Sequence, residues 1–338
     1  MGKIPEIGAT IEIANGVHWL RMPLPFSLNH INLWLLEDCT GNSDGWTVVD
    51  TGLGDDKSKA IWKNVFSGFM GGAAIQRVIA THMHPDHVGC AGWLADYFDV
   101  DLWMTREEYT ICRLLVADTG KHAPDAAIEF YQAAGFAHEA LDSYRKIFGF
   151  FGKYVTPLPE SYRRLSDGQQ LRIGNHEWEV VIGSGHSPEH ACFYNEELNL
   201  FISGDQVLPT ISSNVSVYPT EPDANPLQDW LGSLAAIKDR IPADVLVLPA
   251  HGEAFRGAHE RIGELIAGHM TLLEALFEFC AKPRRTIDVF PALYRRKITS
   301  DNLMFATGEA IAHLNFLIAE GRIEAEPDAK NVLWYRQK

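Results

Sequence analysis

The sequence has no long apolar run, no paired cysteine motif and no excess of basic residues. No stretch of about eighteen consecutive apolar residues occurs in the 338-residue chain, which argues against a membrane-spanning helix. Residues 1–6 contain no apolar signal region, and Glu6 stands where an N-myristoylation signal requires Ser or Thr. We therefore expect a cytoplasmic protein with no membrane anchor.

Cysteines are few and far apart in the sequence. The chain has five of them: Cys39, Cys90, Cys112, Cys192 and Cys280. Their odd number and the absence of a CxxC pair argue against both a disulfide framework and a structural zinc ribbon. We expect buried, reduced thiols, with Cys90 packed behind the histidine-rich segment described below.

Basic residues are outnumbered by acidic ones, 29 Lys and Arg against 44 Asp and Glu, for a net charge of −15. This balance disfavours a nucleic acid or another bulk polyanion as partner. From residue 282 onward, however, ten Lys and Arg stand against seven Asp and Glu, so this tail carries +3 and the remainder −18. The asymmetry predicts a separate C-terminal module and leaves nucleic-acid binding by the tail as an alternative.

The sequence is rich in potential metal ligands over residues 81–87, which read THMHPDH. Three imidazoles and one carboxylate lie within six residues, directly after the apolar run 78–80. His82 and His84 can face one metal ion, whereas Asp86 and His87 can face a second. This spacing predicts a dinuclear metal site at the end of a strand.

Further ligand-type residues occur where other apolar runs end. They are Asp50, His186, Asp205 and His251. Chance rarely produces the same strand-then-ligand arrangement five times in one chain. Imidazole and carboxylate together suit zinc, manganese or iron better than copper or magnesium.

This order of motifs resembles that of the metallo-β-lactamase superfamily, and the resemblance spans about residues 10–255. It implies the following ligands: His82, His84 and His186 at a first metal ion, Asp86, His87 and His251 at a second, and Asp205 bridging the two. Asp50 would orient the histidine-rich loop without binding metal. The implied cofactors are two divalent ions, zinc in the first place, with manganese or iron as alternatives.

Strand and helix patterns alternate through the first part of the chain and predict an α/β fold of layered sheets flanked by helices. The resemblance specifies an αββα sandwich, which we assign to residues 1–258. Residues 105–154 interrupt the alternation with helical patterns rich in aromatic residues. This helical insertion is either a hood over the site or a set of helices that packs on the sandwich or forms a homodimer contact.

The remaining residues, 259–338, predict helices followed by two short strands. This order resembles the C-terminal winged-helix module of lactamase-like endoribonucleases. The last predicted helix, residues 303–318, contains Glu309 but no Lys or Arg, which is unfavourable for a helix that reads a DNA groove. A packing or dimerisation module is the alternative.

Two metal ions about 3.5–4 Å apart can bridge a hydroxide and keep it deprotonated near neutral pH. Attack of this hydroxide on a carbonyl carbon or a phosphoryl phosphorus is hydrolysis without a covalent enzyme intermediate. Asp86 and Asp205 are the candidate catalytic residues, since each binds metal and can relay a proton. A carboxylate at position 205, where well-known zinc β-lactamases have cysteine, resembles glyoxalase II, lactonases and phosphodiesterases.

Our leading hypothesis is a dinuclear metal-dependent hydrolase of a small-molecule ester or thioester, glyoxalase II-like, with acyl-CoA among the possible substrates. The first alternative is a phosphodiesterase or endoribonuclease of the same superfamily. Two others are a mononuclear iron persulfide dioxygenase and a non-catalytic winged-helix regulator.

Four polar residues near the motifs are candidates for contacts outside the metal ligands. His30 and Asn32 lie on an early strand and either orient a substrate or make structural hydrogen bonds. His190, four residues after His186, either supports the ligands from beside them or has a purely structural role. Tyr218 either donates a hydrogen bond to an oxyanion or caps the long segment after Asp205.

Overall fold

The computed structural model describes residues 4–26, 28–39 and 44–338. The prediction that the N-terminus has no signal region and no myristoylation signal concerns residues 1–6, of which residues 1–3 lie outside the described ranges. Among the helices in the described ranges, none has the length and apolar character needed to cross a bilayer.

A sheet of seven strands forms one half of the fold, and its strands lie side by side in chain order. The strands are β1 (Thr10–Ala14), β2 (Val17–Pro23), β3 (His30–Glu37), β4 (Gly45–Val49), β5 (Ala74–Ile79), β6 (Leu102–Met104) and β7 (Arg163–Arg164). β1 to β4 pair antiparallel, whereas β4 to β7 pair parallel. Because β4, β5 and β6 are parallel, the segments that follow them meet at one edge of the sheet.

A second sheet contains five strands in the order β12-β11-β10-β9-β8. The strands are β8 (Gln170–Ile173), β9 (His176–Gly183), β10 (His190–Asn195), β11 (Leu200–Gly204) and β12 (Leu246–Pro249). β11 and β12 are parallel, and β9 runs in the same direction because it and β11 are both antiparallel to β10. The segments after β9, β11 and β12 therefore also share one edge.

Helices cover the outer face of each sheet. α1 (Asp56–Ser67), α2 (Pro85–Val88) and α3 (Ala91–Phe98) follow strands of the first sheet, and α7 (Pro226–Arg240) and α8 (Ala258–Phe279) accompany the second. Side chains alternate along the strands, so Val180 packs between the sheets whereas Val181 faces the helices. The structure confirms the predicted α/β sandwich.

The insertion is helical, as predicted, with α4 (Arg106–Ala117), α5 (Asp125–Ala133), α6 (His138–Ile147) and a 3-10 turn (Phe151–Lys153). Tyr131, Phe136 and Tyr144 are buried in a small core that Ile287 and Leu303 also contact. These aromatic residues therefore join the insertion to the C-terminal region.

The C-terminal region contains a 3-10 turn (Thr286–Asp288), α9 (Phe290–Leu293), α10 (Leu303–Ala319) and a ribbon of β13 (Ile323–Pro327) and β14 (Leu333–Gln337). Leu314 of α10 and Trp230 of α7 belong to the same buried cluster as Phe201 of β11. The module therefore shares its hydrophobic core with the sandwich, and the boundary at residue 258 stays a prediction.

Four of the five cysteines are buried, and all five are free thiols. The expectation of burial is wrong for Cys39, which is exposed. This residue follows β3 in the connection to β4, outside the sheet, and its Sγ contacts Asp44 Oδ1 at 3.7 Å. Burial raises the pKa of Cys90 to about 12, so this thiol is unreactive.

Candidate metal centre

The strand edges of the two sheets bring the seven predicted ligands together in two adjacent groups. The first group consists of His82, His84, His186 and Asp205, and the second of Asp86, His87 and His251. Within each group the potential ligand atoms all lie within 4.8 Å of one another. Residues more than a hundred positions apart in sequence thus form one cluster.

The three histidines of the first group direct one nitrogen each at a common point. His82 Nε2 lies 2.8 Å from His84 Nδ1, which lies 3.0 Å from His186 Nε2. His82 Nε2 and His186 Nε2 are 3.3 Å apart. Nitrogens bound tetrahedrally to zinc at about 2.0–2.1 Å are separated by about 3.3 Å, so this arrangement fits a shared ion.

The Asp205 carboxylate lies between the two groups. Its Oδ2 is 3.4 Å from His186 Nε2 and 3.5 Å from His87 Nε2, and its Oδ1 is 3.4 Å from His251 Nε2. Asp86 Oδ2 completes the second group at 3.4 Å from His251 Nε2. The carboxylate therefore lies within 3.5 Å of histidine nitrogens from both groups.

Asp50 accepts hydrogen bonds from the histidine-rich loop. Its Oδ1 accepts from Thr81 N at 2.8 Å, and its Oδ2 accepts from Thr81 Oγ1 at 3.0 Å and from His87 Nδ1 at 2.8 Å. Asp50 has a φ of 64°, a strained left-handed conformation that turns the chain sharply after β4. With Nδ1 of His87 engaged, Nε2 is left to face the cluster.

The nitrogens of His186 and His251 that face away from the cluster are also engaged. His186 Nδ1 donates to the Asn214 carbonyl at 2.7 Å, and His251 Nδ1 donates to the His30 carbonyl at 2.9 Å. These bonds select the tautomer whose Nε2 lone pair is available to a metal ion.

Two buried polar atoms in the cluster lack a hydrogen-bond partner in the described part of the chain, His87 Nε2 and Asp205 Oδ1. Buried polar atoms are normally partnered, and both of these belong to residues of the two potential ligand groups. Burial and the neighbouring His186 lower the pKa of His84 to about 3, which keeps its imidazole neutral. Burial alone would raise the pKa of Asp86, but His87 and His251 lower it to about 2. The residues present therefore fit divalent metal ions.

Two family models match the chain. One, described as the metallo-beta-lactamase superfamily, matches residues 28–252, and the other, a metallo-beta-lactamase-like C-terminal domain, matches residues 273–338. The chain belongs to the metallo-β-lactamase superfamily. It is a metal-dependent hydrolase.

Relatives of this hydrolase align over almost its whole length. A β-lactamase domain protein from Burkholderia ambifaria is 41% identical with a TM-score of 0.91, covering 99% of this chain and 96% of that one. A metallo-β-lactamase family protein from Thermus thermophilus has a TM-score of 0.79 at 24% identity, covering 97% of this chain and 100% of that one. The Bacillus subtilis protein named "Probable metallo-hydrolase YqjP" is 24% identical over 94% of this chain and 97% of its own.

The other predicted site residues of the hydrolase differ in their relation to the cluster. Asn32 Nδ2 donates to the carbonyls of Pro249 and Gly252 at 2.9 and 3.0 Å, which fixes the segment carrying His251. His30 Nε2 accepts from Gly252 N at 3.1 Å. His30 and Asn32 thus support the ligand from the first sheet.

His190 lies directly beside the ligands. His190 Nε2 accepts from Asp205 N at 3.1 Å, and its ring stacks on His82 with 4.6 Å between centroids. Tyr218 is 40% exposed and makes no hydrogen bond to a ligand within the described ranges. Its role stays a prediction.

Sequence reasoning missed Glu108, a fully buried carboxylate in the first turn of α4. Its Oε2 accepts from Met83 N at 2.9 Å, between His82 and His84, and its Oε1 accepts from Glu189 N at 2.9 Å, three residues after His186. The only sequence signal is that Glu108 and the buried Cys112 share one helix face. Glu108 connects the two loops that supply the histidines of the first group.

Proposed function

We propose that this hydrolase is a dinuclear enzyme that cleaves a small ester or thioester, with acyl thioesters as the favoured substrate class. The observation that carries the proposal is the Asp205 carboxylate, within 3.5 Å of nitrogens from both ligand groups. A site for one ion needs no second set of ligands, so the complete set Asp86, His87 and His251 supports two ions over one.

Two zinc ions held there, or manganese or iron, would lower the pKa of a water molecule and stabilise negative charge on the substrate oxygen. The residues of the chain supply the rest. The Asp205 backbone is fixed by His190 and by Ser213, whose hydroxyl donates to the Asp205 carbonyl. The Asp86 side chain is 21% exposed, the most accessible ligand carboxylate, which suits it to pass a proton to solvent.

Exposed aromatic residues in the segment before β3 and in the insertion support an acyl substrate. Phe26 is 53% exposed and Phe150 42% exposed, and both contact Tyr154, with ring centroids 6.3 and 5.2 Å away. Phe26 belongs to the loop that leads into His30. An apolar surface of this kind, part of which lies on the segment that leads into His30, is suited to an acyl chain.

One curated relative supports the thioester class over other esters. The Aspergillus fumigatus protein named "Atrochrysone carboxyl ACP thioesterase" is 26% identical over 68% of this chain, and the match covers 39% of that protein.

In the C-terminal module, Arg285, Arg322 and Arg336 are paired with acidic residues. These ion pairs leave fewer cations for nucleic acid, and the proposal includes only a small-molecule substrate.

Metal content and substrate class are tested on one sample of the full chain. We expect about two zinc or manganese ions per chain by elemental analysis, and hydrolysis in a panel of thioester, phosphodiester and lactam substrates to be fastest for thioesters. His84→Ala should lose metal and activity, whereas His138→Ala, at an exposed histidine of α6, should lose neither. One iron per chain with no hydrolysis would contradict the proposal.

A further inference from the structure

His186 is the histidine of the first group that follows a strand of the second sheet. Its orientation depends on a segment without regular secondary structure. Its Nδ1 donates to the carbonyl of Asn214 at 2.7 Å. Asn214 lies in the connection of residues 205–225, which contains neither helix nor strand. Because no ladder of backbone hydrogen bonds fixes this connection, its position must be set by contacts with neighbouring elements.

Those contacts come from the C-terminal helix α10. Asn214 Nδ2 donates to Glu309 Oε2 at 3.1 Å, and Tyr294 Oη donates to the same oxygen at 3.3 Å. The Asn214 side-chain oxygen accepts from Ser216 Oγ at 2.5 Å. The side-chain amide of Asn214 is therefore held at both its nitrogen and its oxygen. Of the two residues that hold it, Glu309 is the one outside the connection of residues 205–225.

The backbones of α10 and the connection also touch. Val217 N donates to the Gly308 carbonyl at 3.1 Å. A Cβ at position 308 would lie 2.8 Å from Ser216 Cβ, closer than real Cβ contacts allow. Glycine at 308 thus permits the approach that brings Glu309 within reach of Asn214.

A second chain of hydrogen bonds links the same segment to the module. Ser212 Oγ lies 3.0 Å from His269 Nε2 on α8, and His269 Nδ1 lies 3.2 Å from His313 Nε2 on α10. His313 Nδ1 then donates to the Glu309 carbonyl at 2.8 Å. Burial lowers the pKa of both histidines to about 4, so each is neutral and serves as donor at one nitrogen and acceptor at the other.

We propose that Glu309 is a positioning residue through which the C-terminal module sets the orientation of His186, and with it the metal affinity of the first ligand group. The module then contributes to the metal site although it supplies no ligand. The inference rests on the proposed metal site, but not on the choice of substrate.

The test compares Glu309→Leu, Glu309→Gln and wild type in the full chain. Zinc dissociation constants are measured by competition with a chromogenic chelator, and Co²⁺ absorption spectra report the coordination of the bound ion. Glu309→Leu should weaken one of the two zinc sites by about tenfold and alter the Co²⁺ spectrum, since loss of such outer hydrogen bonds typically costs about 10–100-fold in affinity. Glu309→Gln should restore most of the affinity because its amide oxygen can still accept from Asn214.

The matched control is Glu324→Gln, in the ribbon of the same module, where the exposed pair with Arg336 is remote from the connection. It should bind zinc like wild type. Urea unfolding of the metal-free variants separates folding from metal binding. Unchanged zinc affinities in folded Glu309→Leu would overturn the inference, as would equal weakening of both sites. If wild type itself binds no metal, the proposed function fails, which is a different result from a variant that matches a metal-binding wild type.

Discussion

Glu108→Ala should destabilise the metal-free protein strongly, even though the residue lies in an insertion and binds no metal. The carboxylate accepts two backbone N–H groups at 2.9 Å, from Met83 and Glu189. Hydrogen bonds to a charged group contribute about 1.5–3 kcal/mol each, and the truncation leaves both donors buried without an acceptor. Burial raises the pKa of Glu108, because burying the charged carboxylate costs free energy. Part of the free energy of the two hydrogen bonds offsets that cost, so the net stabilisation is smaller than their sum.

The expected loss is therefore about 2–4 kcal/mol, a large share of the roughly 5–15 kcal/mol that stabilises a typical domain. Glu108→Gln keeps the volume and one acceptor oxygen, so we expect about half that loss. The assay is urea unfolding with a chelator present, followed by zinc titration of the folded variant. Zinc affinity should fall as well, because the loops carrying His82, His84 and His186 lose their common anchor.

The matched control is Glu107→Ala, which removes an exposed carboxylate from the same helical turn. Its free energy of unfolding should lie within about 0.5 kcal/mol of the wild-type value, as is usual for surface substitutions. If Glu108→Ala unfolds at the same urea concentration as Glu107→Ala and binds zinc normally, the two backbone donors do not depend on the carboxylate, and the reasoning is wrong.

Three further predictions concern single side chains. Asp50→Asn should leave the chain folded but weaken zinc binding about 10–100-fold, because Thr81 N–H and His87 Nδ1–H lose a charged acceptor; chelator competition measures this. Asp86→Ala should lower the metal content towards one ion per chain and abolish most turnover, and two retained ions would contradict the assignment. Burial raises the pKa of Glu309 from 4.5 to about 7, so the folded state binds the proton more tightly than the unfolded state. The free energy of unfolding of the metal-free protein should therefore fall by up to about 3 kcal/mol, relative to Glu309→Gln, as the pH rises from 4.5 to 7. Urea midpoints that change in parallel for the two proteins across this range would contradict the prediction.

The clustered histidines and carboxylates could be predicted from the sequence because each lies in a segment that begins where an apolar run ends. Parallel strands end at the same sheet edge, so residues after β4 and β5 meet at the first sheet, and residues after β11 and β12 meet at the second. Glu108 and Glu309 could not be found in this way. Each lies within a helix, and its partner is a loop at least 25 residues away in the chain, 95 residues in the case of Asn214 and Glu309.

The charge asymmetry identified the C-terminal module but not how it packs. Charge is a surface property and does not report which apolar faces meet. Leu314 and Leu317 of α10 lie in one buried cluster with Trp230 and Phe201 of the sandwich, a contact that depends on tertiary structure. Likewise, the aromatic residues of the insertion indicated burial without specifying the partner, which includes Ile287 and Leu303 of the C-terminal region.

The two ligand groups differ in what holds them. The second group is supported from within the sandwich, since Asp50 fixes His87, and the His30 carbonyl fixes His251. The first group has additional supports outside the sandwich, from Glu108 of the insertion and, through Asn214, from Glu309 of α10. The first group therefore depends on the two appended elements more than the second group does. Changes in the insertion or the C-terminal module should consequently act mainly on metal binding by the first group, whereas changes at Asp50, which contacts both Thr81 and His87, should act on both groups.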